Sequence, residues 1–429
     1  MPEALSSTQR STKADSEDPV LKEIVRHLIQ NFSGRVTLLA VCPNSEAVTR
    51  AALAASLEAS APMLFAATLN QVDREGSYTG WTPESFVRFV ENESERIGLS
   101  TPPLVCLDHG GPWLKDHHTT AGLTLDETME EVRRSLEACI DAGYALLHID
   151  ATIDRTLPED SPIPIELVVE RTLDLIQHAE RYRNDRRMPP ISYEVGTEEV
   201  HGGLADMSVF EAFLSGLDAG LRELGLHDRW PCFVVGKVGT DLDTTLFDPA
   251  MAARLTRRVK PYGALIKGHY SDYVENPHEY PLSEMGGANV GPEFTEEEFR
   301  ALENLLRLER LLEKRSGFEV ALKDAVLESG RWKKWLKPHE RGSAFSALTE
   351  ERQYWLLRTC SRYIWTHPAV QDARVDLYHN VKDYRKGDQY VVWWIKNCIM
   401  KYLHAFNLVE FNREPGYPDR AERRQPAGA

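Results

Sequence analysis

The most constraining feature of this sequence is a regular alternation of short apolar runs with longer amphipathic stretches. The runs cover residues 35–41, 63–69, 104–107, 146–149, 191–195, 232–235 and 264–266, and the glycine-rich residues 286–292 mark the end of an eighth. A strand–helix unit that repeats about every 30–40 residues is typical of a parallel sheet with crossover helices. Eight units in roughly 250–280 residues favour a closed barrel over an open sheet. We therefore predict an α/β fold, a TIM (β/α)8 barrel with a helical C-terminal extension.

The character of the sequence changes on both sides of the predicted barrel, which we place at residues 20–315. Residues 1–19 are polar, which predicts a disordered leader without the apolar segment of a signal peptide. Between residues 316 and 413, Trp, Tyr, Arg and Lys become frequent, which indicates a helical extension packed on the barrel or on a partner. Residues 414–429 predict a frayed tail.

Charge and cysteine content limit the classes of function. The 429 residues carry a formal net charge of −16, which argues against nucleic-acid or anionic-membrane partners. It does not argue against an anionic substrate held by a local group of cations. No apolar run reaches membrane-spanning length. The 6 cysteines are scattered without a CxxC motif, so we expect buried free thiols and a cytoplasmic location.

Polar residues follow the predicted strands at their C-terminal ends. The stretch 104–113, LVCLDHGGPW, runs from an apolar strand into Asp108 and His109 and then into a glycine turn. Taken alone, this dipeptide is equally well explained by a turn aspartate beside a half-buried histidine. The pattern recurs, however, at Asn70, Asp150, Glu198, Glu199, Lys237, His269, Asp272 and Asn289. In a parallel barrel all these strand ends meet at one mouth, where ligands bind.

Three of these positions predict a metal site. His109, a glutamate of the pair Glu198 and Glu199, and His269 follow the third, fifth and seventh strands. Alternate strands contribute inward side chains to the same layer of a barrel, so the three can meet. Two imidazoles and a carboxylate with open positions suit a catalytic divalent metal, Zn²⁺, Mn²⁺ or Ni²⁺. We assign Glu198 as the third ligand, with Glu199 as the alternative; a purely structural role is the competing interpretation of each histidine.

The remaining polar residues are candidates for acid–base catalysis and substrate binding. Asp108, Asp150 and Asp272 are the candidate general acids and bases, and each can instead cap a helix or hold a loop. The candidate substrate-binding residues are Asn70, Gln71, Glu199, Lys237, Lys267 and Asn289. The two lysines also allow a Schiff-base aldolase, although a lysine beside glycine at a strand end is more commonly a solvated or substrate-binding cation.

Taken together, the motifs resemble a known family. The segments LNQV, YTGWTP, DHGGP, HIDAT, YEVGTEE, HYSDY and NVGP, in this order and spacing, resemble the accessory (GatZ/KbaZ-type) subunit of class II tagatose-bisphosphate aldolase. The pattern at residues 331–334 and 361–367 is similar to that family as well, and the wider group includes ketose 4-epimerases. The resemblance implies a metal-dependent TIM barrel in which Asp108 is an acid–base residue and His109 and His269 bind the metal.

The sequence departs from class II aldolases at the end of the sixth strand. The resemblance implies a metal-binding histidine there, and this chain has Gly236 and Lys237 instead. Glu198 or Glu199 would then be the substitute ligand. Standard bisphosphate aldolase activity is therefore not expected.

Two functions are consistent with these observations. The first is a divalent-metal-dependent epimerase that interconverts D-fructose and D-tagatose, or their 6-phosphates, at C4. Because C4 is not α to the carbonyl, the reaction would cleave the C3–C4 bond and re-form it on the other face of the aldehyde. No GxGxxG fingerprint supports a route through NAD. The alternative is a non-catalytic stabilising subunit of class II tagatose-1,6-bisphosphate aldolase. The expected partners are a ketohexose or ketohexose phosphate, and either a second copy of the chain or the aldolase catalytic subunit.

Overall fold

The structure, a computed structural model, describes residues 18–158, 161–197, 204–241 and 245–414. Nearly all of the predicted leader and of the predicted tail lie outside these ranges. The same is true of Glu198 and Glu199, the two glutamates proposed from the sequence as metal and substrate ligands.

Eight parallel strands form a closed barrel in chain order. They are β1 (Leu38–Val41), β2 (Leu64–Thr68), β3 (Leu104–Gly110), β4 (Leu146–Ile149), β5 (Ser192–Gly196), β6 (Phe233–Val235), β7 (Leu265–Gly268) and β8 (Gly287–Val290). Pairing of β1 with β8, which sets Leu38 opposite Gly287, closes the barrel. The predicted TIM barrel is confirmed.

Helices surround the barrel between successive strands. They are α1 (Val20–Asn31), α2 (Glu46–Ala59), α3 (Pro83–Ile97), α4 (Asp116–Thr120), α5 (Leu125–Asp141), α6 (Ile165–Asp185), α7 (Met207–Glu223), α8 (Pro249–Val259), α9 (Glu279–Leu282) and α10 (Pro292–Leu311). Capping boxes at Thr82 and Thr124 fix the starts of α3 and α5. Across the described residues, we find no helix with the length and apolar character needed to cross a bilayer.

The strands are apolar on both faces because helices cover the outside of the barrel and side chains fill its interior. All residues of β1, β4 and β6 are buried. Buried polar side chains interrupt this pattern, among them Asp108 in β3, His148 in β4, Glu194 in β5, Lys267 in β7 and Asn289 in β8. Burial of such groups is costly unless they are paired. Their partners therefore indicate where the barrel departs from a purely apolar core.

The C-terminal extension consists of α11 (Phe318–Ser329), α12 (Glu350–Cys360), α13 (Pro368–Val381) and α14 (Gly387–Ala405), joined by short 3-10 turns that include Arg331–Trp335 and Ser361–Tyr363. Helix α14 packs on α2 and α10, and α13 packs on α10 and α11. Of the two possibilities left open by the sequence, the extension therefore takes the first and packs on its own barrel.

Buried glutamates of α10 link the extension to the barrel. Glu296 accepts hydrogen bonds from Thr359 Oγ1 at 2.8 Å and lies 2.8 Å from Arg358 Nε. Glu298, whose side chain is fully buried, pairs with Arg374 of α13 at 2.7 Å. Because these charges are removed from water, each depends on its partner in the other part of the fold.

We expect Arg374→Met to lower the free energy of unfolding by about 3 kcal/mol, because it leaves the Glu298 carboxylate buried without a counter-charge. Urea denaturation followed by circular dichroism measures the change. The double variant Arg374→Met/Glu298→Gln should recover most of the loss.

The matched control is Arg88→Met, which removes an exposed pair with Glu84 and should change stability by less than about 1 kcal/mol. Equal effects of the Arg374 and Arg88 substitutions would show that the buried pair does not hold the extension on the barrel.

Candidate metal centre

A cavity of about 260 Å³ lies at the C-terminal ends of the strands. The barrel and the extension both line it. The barrel side includes Cys42, Asn44, Asn70, Gln71, Asp108, His109, His269, Asp272 and Asn289, and the extension side consists of Arg331, Lys334, Trp335, Arg362 and Tyr363. The extension therefore covers the mouth of the barrel.

Four side chains on the barrel side form a compact group of metal-ligand type. Asp108, His109, His148 and His269 each contribute one ligand atom, and the four atoms lie within 4.8 Å of one another. His148 Nδ1 lies 3.2 Å from Asp108 Oδ1, and His109 Nε2 lies 3.1 Å from His269 Nδ1. Strands β3 and β4 and the residue after β7 thus bring their polar side chains to one point inside the barrel.

The neighbours Asp108 and His109 both reach this group because β3 is irregular there. Successive side chains of a regular strand point to opposite faces. The pairing of β3 with β4 shifts register between Leu107 and Gly110, and His109 has a φ of 52°. The left-handed conformation is uncommon for a residue with a side chain, and an irregularity of this kind re-aims a side chain. The irregular backbone of β3 therefore allows both side chains to reach the cluster.

Asp150, at the end of β4, fixes the orientation of His109. His109 Nδ1 donates to Asp150 Oδ2 at 2.6 Å, and the backbone N–H and hydroxyl of Thr152 donate to Asp150 Oδ1 at 3.2 and 2.5 Å. A carboxylate on one ring nitrogen directs the other nitrogen to the cluster, as outer carboxylates do for metal-binding histidines. The close approach requires glycine, since a Cβ on Gly111 would lie 1.5 Å from the carbonyl oxygen of Asp150.

Glu194 and Lys267 orient His269 in the same way. His269 Nε2 donates to Glu194 Oε1 at 3.0 Å, and Lys267 Nζ donates to Glu194 Oε2 at 2.7 Å. Glu194 and Lys267 are both buried, at 0% and 2% exposure. Their ion pair therefore forms a rigid support that leaves His269 Nδ1 directed at His109 Nε2.

Burial and the neighbouring carboxylates together set the charges of the His109 and His269 rings. Burial disfavours the cation of His109, but Asp108 and Asp150 more than offset this and raise its pKa to about 9. Burial lowers the pKa of His269 to about 4. Burial also favours a neutral Asp108, yet the neighbouring histidines hold its pKa well below the usual range. Near neutral pH, a proton on His109 Nε2 therefore lies between the two rings.

The cluster fits a divalent metal. Two nitrogens bound to one tetrahedral zinc at about 2.0–2.1 Å lie about 3.3 Å apart, close to the 3.1 Å between His109 Nε2 and His269 Nδ1. The buried His148 Nε2 has no hydrogen-bond partner in the described part of the chain. Imidazoles with a carboxylate are also ligands that zinc, manganese and nickel accept. A metal would take the place of the proton shared by the two rings.

The structure places seven residues proposed from the sequence on the cavity wall: Asn70, Gln71, Asp108, His109, His269, Asp272 and Asn289. Asn70 donates to the carbonyl of Leu114 at 2.9 Å, and Gln71 donates to Asn44 Oδ1 at 2.8 Å, so both amides are partly engaged. In contrast, the buried amide of Asn289 has neither its oxygen nor its nitrogen paired within the described chain.

Asp272 combines a helix cap with a place on the cavity. Its Oδ1 accepts the N–H groups of Gly291 and Glu293 at 2.9 and 2.8 Å, at the start of α10. Burial raises the pKa of Asp272 to about 7 even though these donors lower it. The sequence interpretation treated capping and acid–base chemistry as alternatives, and the position of this carboxyl group is compatible with both.

Three other positions proposed from the sequence lie elsewhere. Asp150 stands behind His109 with both oxygens engaged, a position that orients the ring and differs from that of a general base in the cavity. Lys267 is buried in its pair with Glu194, so it is not placed to bind substrate. Lys237 is half-buried and is not among the described residues that line the cavity. Glu198 and Glu199 lie outside the described residues, and their roles stay predictions.

His148 and Glu194 were not predicted, because the strand-end rule concerns polar residues after the strands and not those within them. A histidine inside LLHI and a glutamate inside SYEVG are charged or polar interruptions of buried strands, and this signal was available. No ligand-binding role was predicted for Arg331, Trp335 and Arg362. These residues reach the cavity through the folding of the extension over the barrel.

The fold places the chain in the class of TIM barrels, and the strand ends carry a cluster of metal-ligand type. A fructose-bisphosphate aldolase from Campylobacter jejuni has a similar structure, with a TM-score of 0.52 at 10% identity over 91% of this chain and 94% of that one. A probable tagatose 6 phosphate kinase from Sinorhizobium meliloti 1021 has a TM-score of 0.69 at 22% identity, over 86% of this chain and 100% of that one. At these identities the likeness concerns the fold.

The chain belongs to the family described as D-tagatose-1,6-bisphosphate aldolase subunit GatZ/KbaZ-like, whose pattern matches residues 21–402. Its relatives include the D-tagatose-1,6-bisphosphate aldolase subunit GatZ of Klebsiella pneumoniae subsp. pneumoniae, 28% identical over 92% of this chain and 94% of that protein. The GatZ subunit of Klebsiella oxytoca is also 28% identical, over 85% and 88%. The family resemblance found in the sequence motifs is confirmed.

The raised pKa of His109 predicts how metal affinity depends on pH. Because the proton on Nε2 must leave before a metal binds there, we expect the affinity for Zn²⁺ or Mn²⁺ to rise about tenfold per pH unit between pH 6 and 8. The rise should level off near pH 9, the pKa of His109. Calorimetry in buffers of different ionisation enthalpy should register release of one proton per metal, and an affinity independent of pH over this range would contradict the assignment.

Proposed function

We propose that this chain is a subunit of a D-tagatose-1,6-bisphosphate aldolase-type enzyme, and that its own barrel mouth binds a divalent metal and a ketose. Family membership supports the role as a subunit. The observation that carries the ligand-binding part is the cluster of Asp108, His109, His148 and His269 beside a covered cavity. A subunit that only stabilised a partner would not require buried polar groups of this kind at the barrel mouth, because they cost folding free energy.

The metal would be held by His109 Nε2 and His269 Nδ1, together with Asp108 or His148. Glu198, which the sequence suggested as a ligand, remains a candidate. When bound, a divalent metal polarises sugar oxygens and stabilises negative charge on them. The carboxylates of Asp150 and Glu194 keep the two rings in place for this purpose.

The cavity also offers groups for the sugar. The unpaired amide of Asn289 can donate to one hydroxyl and accept from another. Asp108 stays ionised and can accept a proton, while the pKa of about 7 at Asp272 allows proton exchange near neutrality. These groups suit a polyhydroxylated ligand with a carbonyl.

A second candidate is C4 epimerisation of a ketohexose or its 6-phosphate by cleavage and re-formation of the C3–C4 bond. This reaction needs a base for the C4 hydroxyl proton and a closed site that retains the aldehyde fragment while it turns. Asp108 and Asp272 supply acid–base groups on one cavity, and Arg331, Trp335 and Tyr363 cover that cavity. The covered mouth is the observation that favours this candidate.

We expect Asp150→Asn to weaken metal binding about 10–100-fold, because the amide no longer anchors His109 Nδ1 as a carboxylate does. His109→Ala should weaken binding further. Titration of metal-free protein measures both effects, and thermal melting checks the fold. The control His227→Ala removes an exposed histidine paired with Asp218 and should bind metal like the wild type. Unchanged affinity in both site variants would reject the centre.

The subunit proposal predicts that the chain alone, loaded with Mn²⁺, Ni²⁺ or Zn²⁺, leaves D-fructose and D-fructose 6-phosphate unchanged. Mixed with the aldolase catalytic subunit, it should slow the thermal inactivation of that subunit. An unchanged rate of thermal inactivation of the catalytic subunit would reject the role of this chain as its stabilising partner.

The epimerase candidate predicts the opposite in the first assay: the chain alone forms the tagatose product. Asp108→Asn keeps the shape of the side chain and removes its basicity, so turnover should fall by about 10²–10⁴. The hydrogen on C4 stays on the aldehyde carbon during C3–C4 cleavage, so product formed in D₂O should lack deuterium at C4. Deuterium at that carbon would exclude the cleavage route.

A further inference from the structure

A second cavity of about 600 Å³ adjoins the first. It lies between α10, α12 and residues 334–338 of the extension. The two cavities share Asp272, Trp335 and Arg362 on their common wall. These three residues can therefore contact a ligand in either cavity.

The second cavity is rich in positive charge although the protein carries a net charge of −16. Six cationic side chains and three carboxyl groups line it. The cations are Arg300, Lys334, Lys337, Arg352, Arg358 and Arg362, and the carboxyl groups belong to Asp241, Asp272 and Glu296. Such a local reversal of charge in an acidic protein favours an anionic ligand at this place.

Most of the cations that line the cavity are already matched within the chain. Arg300 pairs with Glu297, Lys334 with Asp116, Arg352 with Glu340 and Arg358 with Glu296. Lys337 is exposed to solvent. Arg362 differs from all five. In the described ranges, no carboxylate lies within ion-pair distance of its guanidinium, and its side-chain hydrogen bond goes to Tyr363 OH at 3.2 Å.

Arg362 is buried, with 7% of its surface exposed. Its guanidinium lies 4.8 Å from the ring centre of Trp335 and 5.0 Å from that of Tyr363. The aromatic rings hold the planar group in place but do not neutralise it, and a guanidinium does not lose its proton in proteins. Asp272 shares the wall and interacts electrostatically with Arg362, but it lies beyond ion-pair distance, and its Oδ1 accepts the N–H groups that begin α10. A buried charge without a counter-ion at ion-pair distance is costly, and this cost favours binding of an anion from outside the chain.

We propose that Arg362 binds the phosphate group of a ketose phosphate whose sugar carbons occupy the first cavity. This inference rests on the proposed function and identifies its ligand as phosphorylated. A planar guanidinium binds phosphate through two parallel hydrogen bonds, and Arg362 lines both the metal-side cavity and the cationic one. The start of α10 is not the phosphate site, because Asp272 already caps it.

The test measures binding of D-tagatose 6-phosphate, D-tagatose and inorganic phosphate to the metal-free full chain by calorimetry. The wild type should bind the sugar phosphate at least about tenfold more tightly than the sugar, with inorganic phosphate as a competitor. Arg362→Gln should weaken sugar-phosphate binding on the order of 10–100-fold and remove the preference over the unphosphorylated sugar. Arg362→Lys should retain part of the preference for the sugar phosphate, because the charge remains although the two-point contact is lost.

The matched control is Arg300→Gln, which removes a cation of the same cavity that Glu297 already neutralises and should keep the preference for the phosphate. Equal wild-type affinity for the sugar and its phosphate would overturn the proposal, and so would an unchanged preference in Arg362→Gln. Tighter binding of D-galacturonate than of the sugar phosphate would identify a carboxylate site and overturn the phosphate assignment.

Two features keep the test decisive. If thermal melting shows that Arg362→Gln does not fold, the wild-type preference, the competition by inorganic phosphate and the Arg362→Lys variant decide. Binding is measured without metal, turnover or a catalytic subunit. A failure of the proposed subunit or epimerase role therefore appears in other assays and is distinguishable from a failure of this inference.

Discussion

The hydrogen bond between His109 and Asp150 is the interaction on which the site depends. His109 sits in a left-handed backbone conformation at an irregularity of β3, and a conformation of this kind persists only when its surroundings hold it. Asp150 supplies that hold at 2.6 Å, and Gly111 lets the two strand ends approach closely enough. Without the carboxylate, the direction of the ring would not be maintained, and one of the two carboxylates that raise the pKa of His109 would be lost. The cluster with His148 and His269 would then lose its geometry.

The pair of Glu194 and Lys267 explains why the metal interpretation is preferable to Schiff-base chemistry. A lysine that attacks a carbonyl needs a lowered pKa so that its amine is neutral. Burial acts in that direction at Lys267, but Glu194 and Asp108 outweigh it and raise the pKa of the lysine. The ammonium group is therefore fixed as a cation against Glu194. The carboxylate, through its other oxygen, orients His269, so the lysine supports the candidate metal ligands and is not placed as a nucleophile.

The barrel could be predicted from the sequence because strand–helix alternation follows from local hydrophobic periodicity, and strands β1 to β8 fall where the apolar runs are. The strand-end rule also found Asp108, His109 and His269. It could not find the irregularity that turns two successive side chains inward, since that depends on the pairing of β3 with β4. His148 and Glu194 were within reach as polar residues inside apolar strands. Arg362 was not, because its position depends on how a distant helical segment folds back over the barrel.

Helix α10 connects the two parts of the site. Asp272 caps its first turn, and Pro292 lies on the wall of both cavities. Farther along, Glu296 and Glu298 bind the extension that carries Arg362. The helix that shapes the mouth of the barrel is thus the helix that positions the cover. Because both parts contact one rigid element, a shift of α10 would move the Asp272 carboxyl group and the Arg362 guanidinium together. The distance between these two groups is therefore set by the fold itself.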